Sequence, residues 1–169
     1  ILYVELDPAV NQAYNQWITN SSYPEYANYV VEKVKELINS KITSDTRYST
    51  VRYIVIIGDD RIIPFYRVKD ETHDRQGGYS ERSYYQQGYV NTSNPTGVAI
   101  KNNTYLMDDY YYTPIGGWGS GARKAQRSYI PHYFGGRLVE RPLEIAGQLE
   151  AFLLSDGIIP NSGFATGYD

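Results

Sequence analysis

Acidic residues stand where the sequence predicts that strands end. Asp7 follows a first apolar segment, Asp59 and Asp60 follow a second, and Asp169 follows the last. In open α/β sheets, ligands gather at the carboxyl ends of the parallel strands. Carboxylates there could bind a divalent cation or orient a histidine. The structural alternatives are a helix N-cap at Asp7, which precedes Pro8, and a turn shaped by Asp59 and Asp60.

A second acidic pair, Asp108 and Asp109, precedes three consecutive tyrosines. Carboxylates beside aromatic rings could hold calcium or a basic substrate side chain, although hydration of a loop is the simpler interpretation. We therefore take Asp59, Asp60, Asp108 and Asp109 as candidate ligands of a structural calcium ion. No cofactor is predicted to be required.

The remaining reactive residue types form no complete catalytic set. Cysteine is absent, and there are two histidines, His73 in a polar segment and His132 just after Pro131. We expect His73 to be solvated and His132 to be packed or hydrogen-bonded within a strand. The sequence has no Gly-x-Ser-x-Gly elbow. The glycine-rich segment 116 to 121 also lacks the Gly-Lys-Ser/Thr ending of a phosphate-binding loop.

Composition limits the class of protein. The chain has 169 residues, of which 41% are hydrophobic and 21% charged, as is typical of one globular domain. A net charge of -3 without a basic tract argues against nucleic acid as the partner. No apolar run approaches the roughly 18 residues that a membrane span needs. A signal peptide is expected to be absent or already removed.

Tyrosines and glycosylation sequons point to a decorated surface. Tyrosine occurs 19 times, and its ring with a polar tip suits half-hydrated surfaces and interfaces. Asn20, Asn91 and Asn102 each begin an Asn-x-Ser/Thr sequon. We therefore predict an extracellular or cell-surface location, with these three asparagines as candidate glycosylation sites.

The first part of the chain predicts a βαβ unit. Residues 2 to 6 resemble a strand, and helices are predicted to begin at Pro8 and at Pro24, the second ending near Lys41. Residues 51 to 57 form a continuous β-branched and aromatic run. Such a run favours a central parallel strand that is covered on both faces. The crossover between the two strands is expected to be right-handed.

The second part alternates polar segments with short elements. Loops are predicted at about 70–103 and 113–127, with a strand or ordered turn at 104–112 between them. Residues 129 to 139 predict a strand, and Pro142 begins an amphipathic helix that ends near residue 157.

The chain divides into two predicted units. Residues 1–157 form one α/β subdomain, and residues 158–169 form the first strand of a following subdomain. Because domains rarely end at the tip of a core strand, we expect a cut or processed terminus at Asp169.

The order of these segments resembles that of gingipain-type cysteine peptidases. The similar segments run over roughly residues 51 to 169, and each alone is short and degenerate. They are the strand and turn 53–60 with Ile63-Pro64, the acidic-aromatic segment 107–111, the strand 129–138 ending in Gly136-Arg137-Leu138, the helix containing Glu144, and the strand 165–169.

The resemblance implies a caspase-like α/β fold: a doubly wound, mostly parallel sheet flanked by helices, incomplete here at its C-terminus. It also implies hydrolysis of peptide bonds by a Cys and His pair that lies beyond Asp169. Asp169 then occupies the place of the carboxylate that orients the histidine. The implied partners are the remaining catalytic half of the domain, or a processed partner chain, and a peptide or protein substrate.

Several interpretations of the missing catalytic residues stay open. The chain could be one piece of a processed enzyme, part of a longer protein, or a degenerate peptidase retained for binding. The main alternative function is a secreted surface, filament or binding module that uses the tyrosines and sequons for contact. A receiver-like or nucleotide-binding module is a third hypothesis, but it needs a phosphate-binding loop or partner lysine that the sequence does not convincingly contain.

Overall fold

The computed structural model describes residues 1–69, 91–113 and 131–155. Within these ranges the chain is a mixed α/β structure with five α-helices and two small sheets, which confirms the predicted mixture of elements. In chain order the elements are a 3-10 turn at Val4–Leu6, α1 (Pro8–Thr19), α2 (Pro24–Ser44), a 3-10 turn at Thr46–Tyr48, β1 (Tyr53–Ile57), β2 (Tyr66–Lys69), α3 (Pro95–Lys101), β3 (Thr104–Met107), α4 (Asp109–Tyr112), β4 (Phe134–Leu138) and α5 (Pro142–Leu154).

In the described ranges, proline begins each helix of seven residues or more. Its fixed φ suits the first helical position, where its missing N–H would have no intrahelical partner in any case. The predicted N-cap at Asp7 is confirmed, because its carboxylate accepts hydrogen bonds from the backbone N–H groups of Ala9 and Val10. Asn94 caps α3 in the same way, accepting from the Gly97 N–H at 2.8 Å. The helices that begin in this way are those at Pro8, Pro24, Pro95 and Pro142.

The strands form two separate pairs. β1 and β4 are parallel, with Tyr53 opposite Phe134 and Ile57 opposite Leu138. β2 and β3 are antiparallel. The side chain of Asn28 on α2 ties the second pair to the helices by bonding both backbone groups of Arg67, its Nδ2 donating to the carbonyl oxygen and its Oδ1 accepting from the N–H.

One face of the β1–β4 pair packs on the core. Ile56 is buried there, Ile54 is partly buried, and the two helices α1 and α2 supply most of the apolar side chains around them. The fully buried part of this core is formed by Val10, Ala13, Trp17, Ala27, Val30, Val31, Val34, Ile56, Tyr111 and Tyr112.

The opposite face, here called the open face, is apolar and exposed. It consists of Tyr53, Val55 and Ile57 on β1 with Phe134 on β4, and these side chains are 54 to 71% exposed. The rings of Tyr53 and Phe134 stack at 5.2 Å. The prediction that β1 is covered on both faces is therefore wrong for the described chain, because its side chains alternate between a packed and an exposed face.

The predicted first strand is also wrong. Residues Val4–Leu6 form a 3-10 turn instead of extended chain. The N–H of Asp7 donates to the Val4 carbonyl at 3.2 Å, and the N–H of Leu6 donates to the Tyr3 carbonyl. These local bonds close the chain directly before Asp7 caps α1, so the segment cannot run as a strand.

Two further predictions need correction. The loop predicted at about 70–103 contains α3, which the Asn94 cap and Pro95 initiate. His132 precedes β4 instead of lying within it. Its backbone N–H donates to the Tyr112 carbonyl at 2.7 Å, and its side chain is exposed.

The two glycines of β4 provide a matched test of packing. A Cβ on Gly135 would lie 2.1 Å from the Tyr112 ring, whereas a Cβ on Gly136 would meet nothing within 4 Å. We expect Gly135→Ala to lower the free energy of unfolding by about 1–3 kcal/mol, because the buried ring must move. Gly136→Ala should leave the free energy of unfolding unchanged or raise it by about 0.4–1 kcal/mol, because alanine reduces the conformational entropy of the unfolded chain. Urea unfolding measures both, and equal effects would contradict the contact.

Candidate functional site

Asp60 is buried and accepts hydrogen bonds from three donors. Its Oδ2 accepts from Arg67 Nη2 at 2.7 Å and from the Thr96 hydroxyl at 2.9 Å. Its Oδ1 accepts from the Phe65 N–H at 2.8 Å. The side chains of Asp60 and Arg67 are only 4% and 3% exposed. Asp60 therefore holds the turn after β1 to β2 and to α3.

Arg137 joins the carboxyl ends of both parallel strands. Its Nε and Nη2 donate to the two carboxylate oxygens of Asp108 at 2.8 and 2.6 Å, in the two-pronged geometry that suits a guanidinium. Its Nη1 donates to the carbonyls of Gly58 and Ile63, both at 2.7 Å. The guanidinium also lies 4.1 Å from the centre of the Phe65 ring. We call this arrangement the Arg137 latch.

The other two predicted calcium ligands are more exposed. Asp59 accepts from the backbone N–H of Arg61 and pairs with its guanidinium. The hydrogen bond from Arg61 holds the pKa of Asp59 below its ordinary value. Asp109 lies exposed in the first turn of α4.

The structure uses three of these four acids in ion pairs with arginine. A calcium ion at Asp59, Asp60 or Asp108 would have to replace a guanidinium. Among the described residues, no three Asp, Glu or His side chains are grouped as a metal ion would require. Calcium binding at these acids stays a prediction, and the arginine contacts make it less favourable because an ion would have to displace them.

Three tyrosine hydroxyls fasten the same region. Tyr14 donates to the Ile62 carbonyl, Tyr111 to the Pro64 carbonyl at 2.6 Å, and Tyr112 to the Gly136 carbonyl at 3.2 Å. Burial raises the pKa of Tyr14 and of Tyr112 to about 12, and it raises the pKa of Tyr111 well above its usual value. These phenols stay protonated near neutral pH and act as donors. Composition alone had suggested half-hydrated tyrosines, yet these three support the core.

A crevice of about 450 Å³ opens beside the carboxyl end of β1. The turn after β1 forms one wall, and α3 with the residues before it forms the other. The sequence indicates the acids of this crevice, whereas the contribution of Asn94 was not predicted, although Asn before Pro is a helix-start signal. The crevice is lined by Asp59, Asp60, Arg61, Asn91, Asn94, Thr96, Gly97 and Ile100.

The remaining predicted sites lie partly outside the described residues. Asp169, His73 and most of the 113–127 loop are outside them. Two of the three candidate glycosylation sites use their side-chain amide: Asn20 Nδ2 donates to the Gln16 carbonyl and Asn102 Nδ2 to the Ser22 carbonyl. At the third, Asn91, the side-chain oxygen accepts from the N–H and hydroxyl of Ser93.

In the parts that the structure describes, no helix is long and apolar enough to cross a membrane. Comparison with protein-family models, with curated proteins and with solved structures gives no significant match, so these comparisons assign the chain to no family.

Proposed function

We propose that this chain is the non-catalytic portion of a gingipain-like cysteine endopeptidase with a caspase-like, mostly parallel sheet. In this proposal the Cys nucleophile and the His lie in polypeptide beyond Asp169, and Asp169 orients the His. The sequence itself has no cysteine, so a thiolate must come from elsewhere.

The open face is the observation that carries the proposal. Parallel sheets are almost always covered on both faces, because their crossover connections lay helices over them. β1 and β4 are parallel, yet Tyr53, Val55, Ile57 and Phe134 are all more than half exposed. Contiguous exposed apolar surface of this kind marks an interaction site. A further layer of polypeptide is the partner that suits this face best.

Helix α5 supports the same interpretation. The sequence predicts an apolar stripe along it, but Ile145 is the buried residue of this helix. Leu149 and Phe152 are each 48% exposed, and Leu153 is 76% exposed. A helix with this pattern normally packs its stripe on a core. The apolar surface of α5 and the open face therefore both favour an additional layer.

The arrangement of charges is consistent with a supporting role. Asp60 and Asp108 are held by Arg67 and Arg137, and these contacts join loops and strands to one another. A carboxylate that is paired with a buried arginine supports the shape of a site more readily than it transfers protons. The proposed work of this portion is to hold the carboxyl edge of the parallel strands in place for the catalytic half.

A comparison of the chain with its longer parent tests the proposal. Purified residues 1–169 should hydrolyse no peptide substrate. The parent polypeptide that continues past Asp169 should hydrolyse peptides, and a thiol-blocking reagent should abolish this activity. In the parent, Asp169→Asn should lower kcat more than it raises KM, because it misorients the imidazole. Turnover by residues 1–169 alone, or activity insensitive to thiol reagents, would refute the proposal.

A second candidate function uses the same open face. A catalytically inactive, secreted surface or filament module would also need an apolar face to assemble with a partner. It predicts a parent without the Cys and His and a chain that self-associates through Tyr53 and Phe134. An extracellular or cell-surface location is proposed for either function.

A further inference from the structure

The crevice beside β1 has an unusual balance of hydrogen-bonding groups. Its lining includes two asparagines, Asn91 and Asn94, and the guanidinium of Arg61. A volume of about 450 Å³ lies within the range of small-molecule sites, roughly 300–1,000 Å³. It also lies at the carboxyl end of a parallel strand, where open α/β sheets bind ligands.

The side-chain oxygens of both asparagines are already used. Asn91 Oδ1 accepts from the Ser93 N–H at 2.9 Å and from its hydroxyl at 2.6 Å. Asn94 Oδ1 accepts from the Gly97 N–H at 2.8 Å. A backbone N–H can only donate, so these bonds fix which end of each amide is oxygen. The Nδ2 groups are left as donors, and neither makes a hydrogen bond to the described residues.

The other polar lining groups are also committed. Thr96 donates its hydroxyl to Asp60, whose two oxygens are occupied by three donors. Arg61 uses Nε and Nη2 on Asp59, and its Nη1 makes no hydrogen bond within the described chain. Among the described residues, the unused side-chain donors of the lining are therefore Asn91 Nδ2, Asn94 Nδ2 and Arg61 Nη1.

The charges of the crevice balance in pairs. Asp59 is paired with Arg61 and Asp60 with Arg67, so neither carboxylate presents an uncompensated negative charge. A ligand anion would meet two amide donors and the free edge of one guanidinium. Gly97 and Ile100 add a small or apolar surface on the side of α3.

We propose that this crevice binds the free carboxylate of a short peptide or similar small acid. Asn91 Nδ2, Asn94 Nδ2 and Arg61 Nη1 donate to the carboxylate oxygens, and guanidinium groups suit carboxylates better than neutral acceptors. The short aliphatic part of the ligand lies against Ile100. This site does not depend on the peptidase proposal, because it uses only groups of this chain.

Calorimetric titration with a matched pair of peptides tests the site. The probes are N-acetyl-alanyl-alanine and its C-terminal amide, which differ in the carboxylate alone. We expect the acid to bind at least ten-fold more tightly than the amide, with weak affinity in the millimolar range. The proposal would be overturned if the acid gave no measurable heat at concentrations about ten-fold above the expected millimolar dissociation constant. Equal affinity for the two peptides would also overturn it.

Asparagine-to-aspartate variants locate the binding. Asn91→Asp and Asn94→Asp keep the oxygen that accepts from Ser93 or Gly97, and Asp is as good an N-cap as Asn. Each replaces the Nδ2 donor by a negative oxygen, so each should weaken binding of the acid at least ten-fold with an unchanged circular dichroism spectrum. Asn11→Asp, at an exposed position of α1, makes the same charge change and should leave binding intact.

A second kind of variant keeps the test decisive if either of these fails to fold. Arg61→Met removes a donor from an exposed side chain and leaves Asp59 unpaired. It should likewise weaken binding of the acid at least ten-fold and should not affect the amide. Retention of full affinity by Arg61→Met, or an equal loss in Asn11→Asp, would place the ligand elsewhere.

Discussion

Replacing Arg137 by methionine is expected to lower the free energy of unfolding by about 3–5 kcal/mol, the cost of breaking a buried ion pair from one side. The Arg137 side chain is 5% exposed and donates two hydrogen bonds to the Asp108 carboxylate. It also donates to the carbonyls of Gly58 and Ile63. Methionine keeps the apolar stem over Phe65 but leaves a carboxylate and two carbonyls without these donors. Urea unfolding monitored by circular dichroism measures the loss.

Two further variants distinguish the specific contacts of the Arg137 latch from the effect of removing a positive charge. Arg141→Met removes an arginine that is exposed just before α5, and it should change the unfolding free energy by no more than about 0.5 kcal/mol. Arg137→Lys keeps the charge but cannot form the two-pronged contact, so it should recover only part of the stability. If Arg137→Met and Arg141→Met were equally stable, the latch would have no energetic role.

Combining Arg137→Met with Asp108→Asn tests the same contact from the other side. Asparagine removes the charge that the single variant leaves buried, so the double variant should be more stable than Arg137→Met alone. If the loss of stability in the double variant equalled the sum of the losses in Arg137→Met and Asp108→Asn, the two side chains would not interact.

Local signals predicted the elements that begin with a cap or a proline. Pro8, Pro24 and Pro142 each mark a helix start in the sequence, and Asp7 caps α1 as predicted. The helix at Pro95 was missed because Gly, Ser, Asn and Gln surround it and its apolar stripe is short. Asn94 before Pro95 carried the same signal as the other starts.

Strands were harder to predict, because a strand needs a partner that a local window does not contain. Residues 2 to 6 had the composition of a strand, yet the chain closes there into a 3-10 turn before α1. The apolar run at 53–57 did predict β1 correctly. Because the run is continuously apolar, it predicted a strand with both faces packed against other elements. In the described chain only one face is packed, and the open face is exposed.

The candidate site depended on contacts distant in sequence. Asp60 and Asp108 stood out as acids at strand ends, but their partners Arg67 and Arg137 are 7 and 29 residues away. Residue type and spacing could indicate a carboxylate without showing what neutralises it. The distinction between a metal ligand and an arginine partner is decided by tertiary packing, which brings the guanidinium to the acid.

Two adjacent aspartates allow the sharpest test of that distinction. Asp60 is 4% exposed and holds Arg67, Phe65 and Thr96, whereas Asp59 is 25% exposed and pairs with an arginine that is 70% exposed. Removing one partner of a buried pair costs about 3–5 kcal/mol, and an exposed pair contributes about 0–1 kcal/mol. We therefore expect Asp60→Ala to lower the unfolding free energy severely and Asp59→Ala to change it little.

The same pair of variants distinguishes a structural acid from a cation ligand. If Asp60 serves structure, Asp60→Ala stays destabilised in calcium and in chelator alike, because its partners are all within the chain. If it instead held a cation, calcium would raise the Tm of the unsubstituted chain, as a ligand specific for the folded state must, and would not raise that of Asp60→Ala. Thermal melting of the unsubstituted chain, Asp59→Ala and Asp60→Ala with and without calcium decides between these outcomes. We expect no shift in any of the three, and a calcium-dependent rise confined to the unsubstituted chain would show that an ion displaces the arginine contacts.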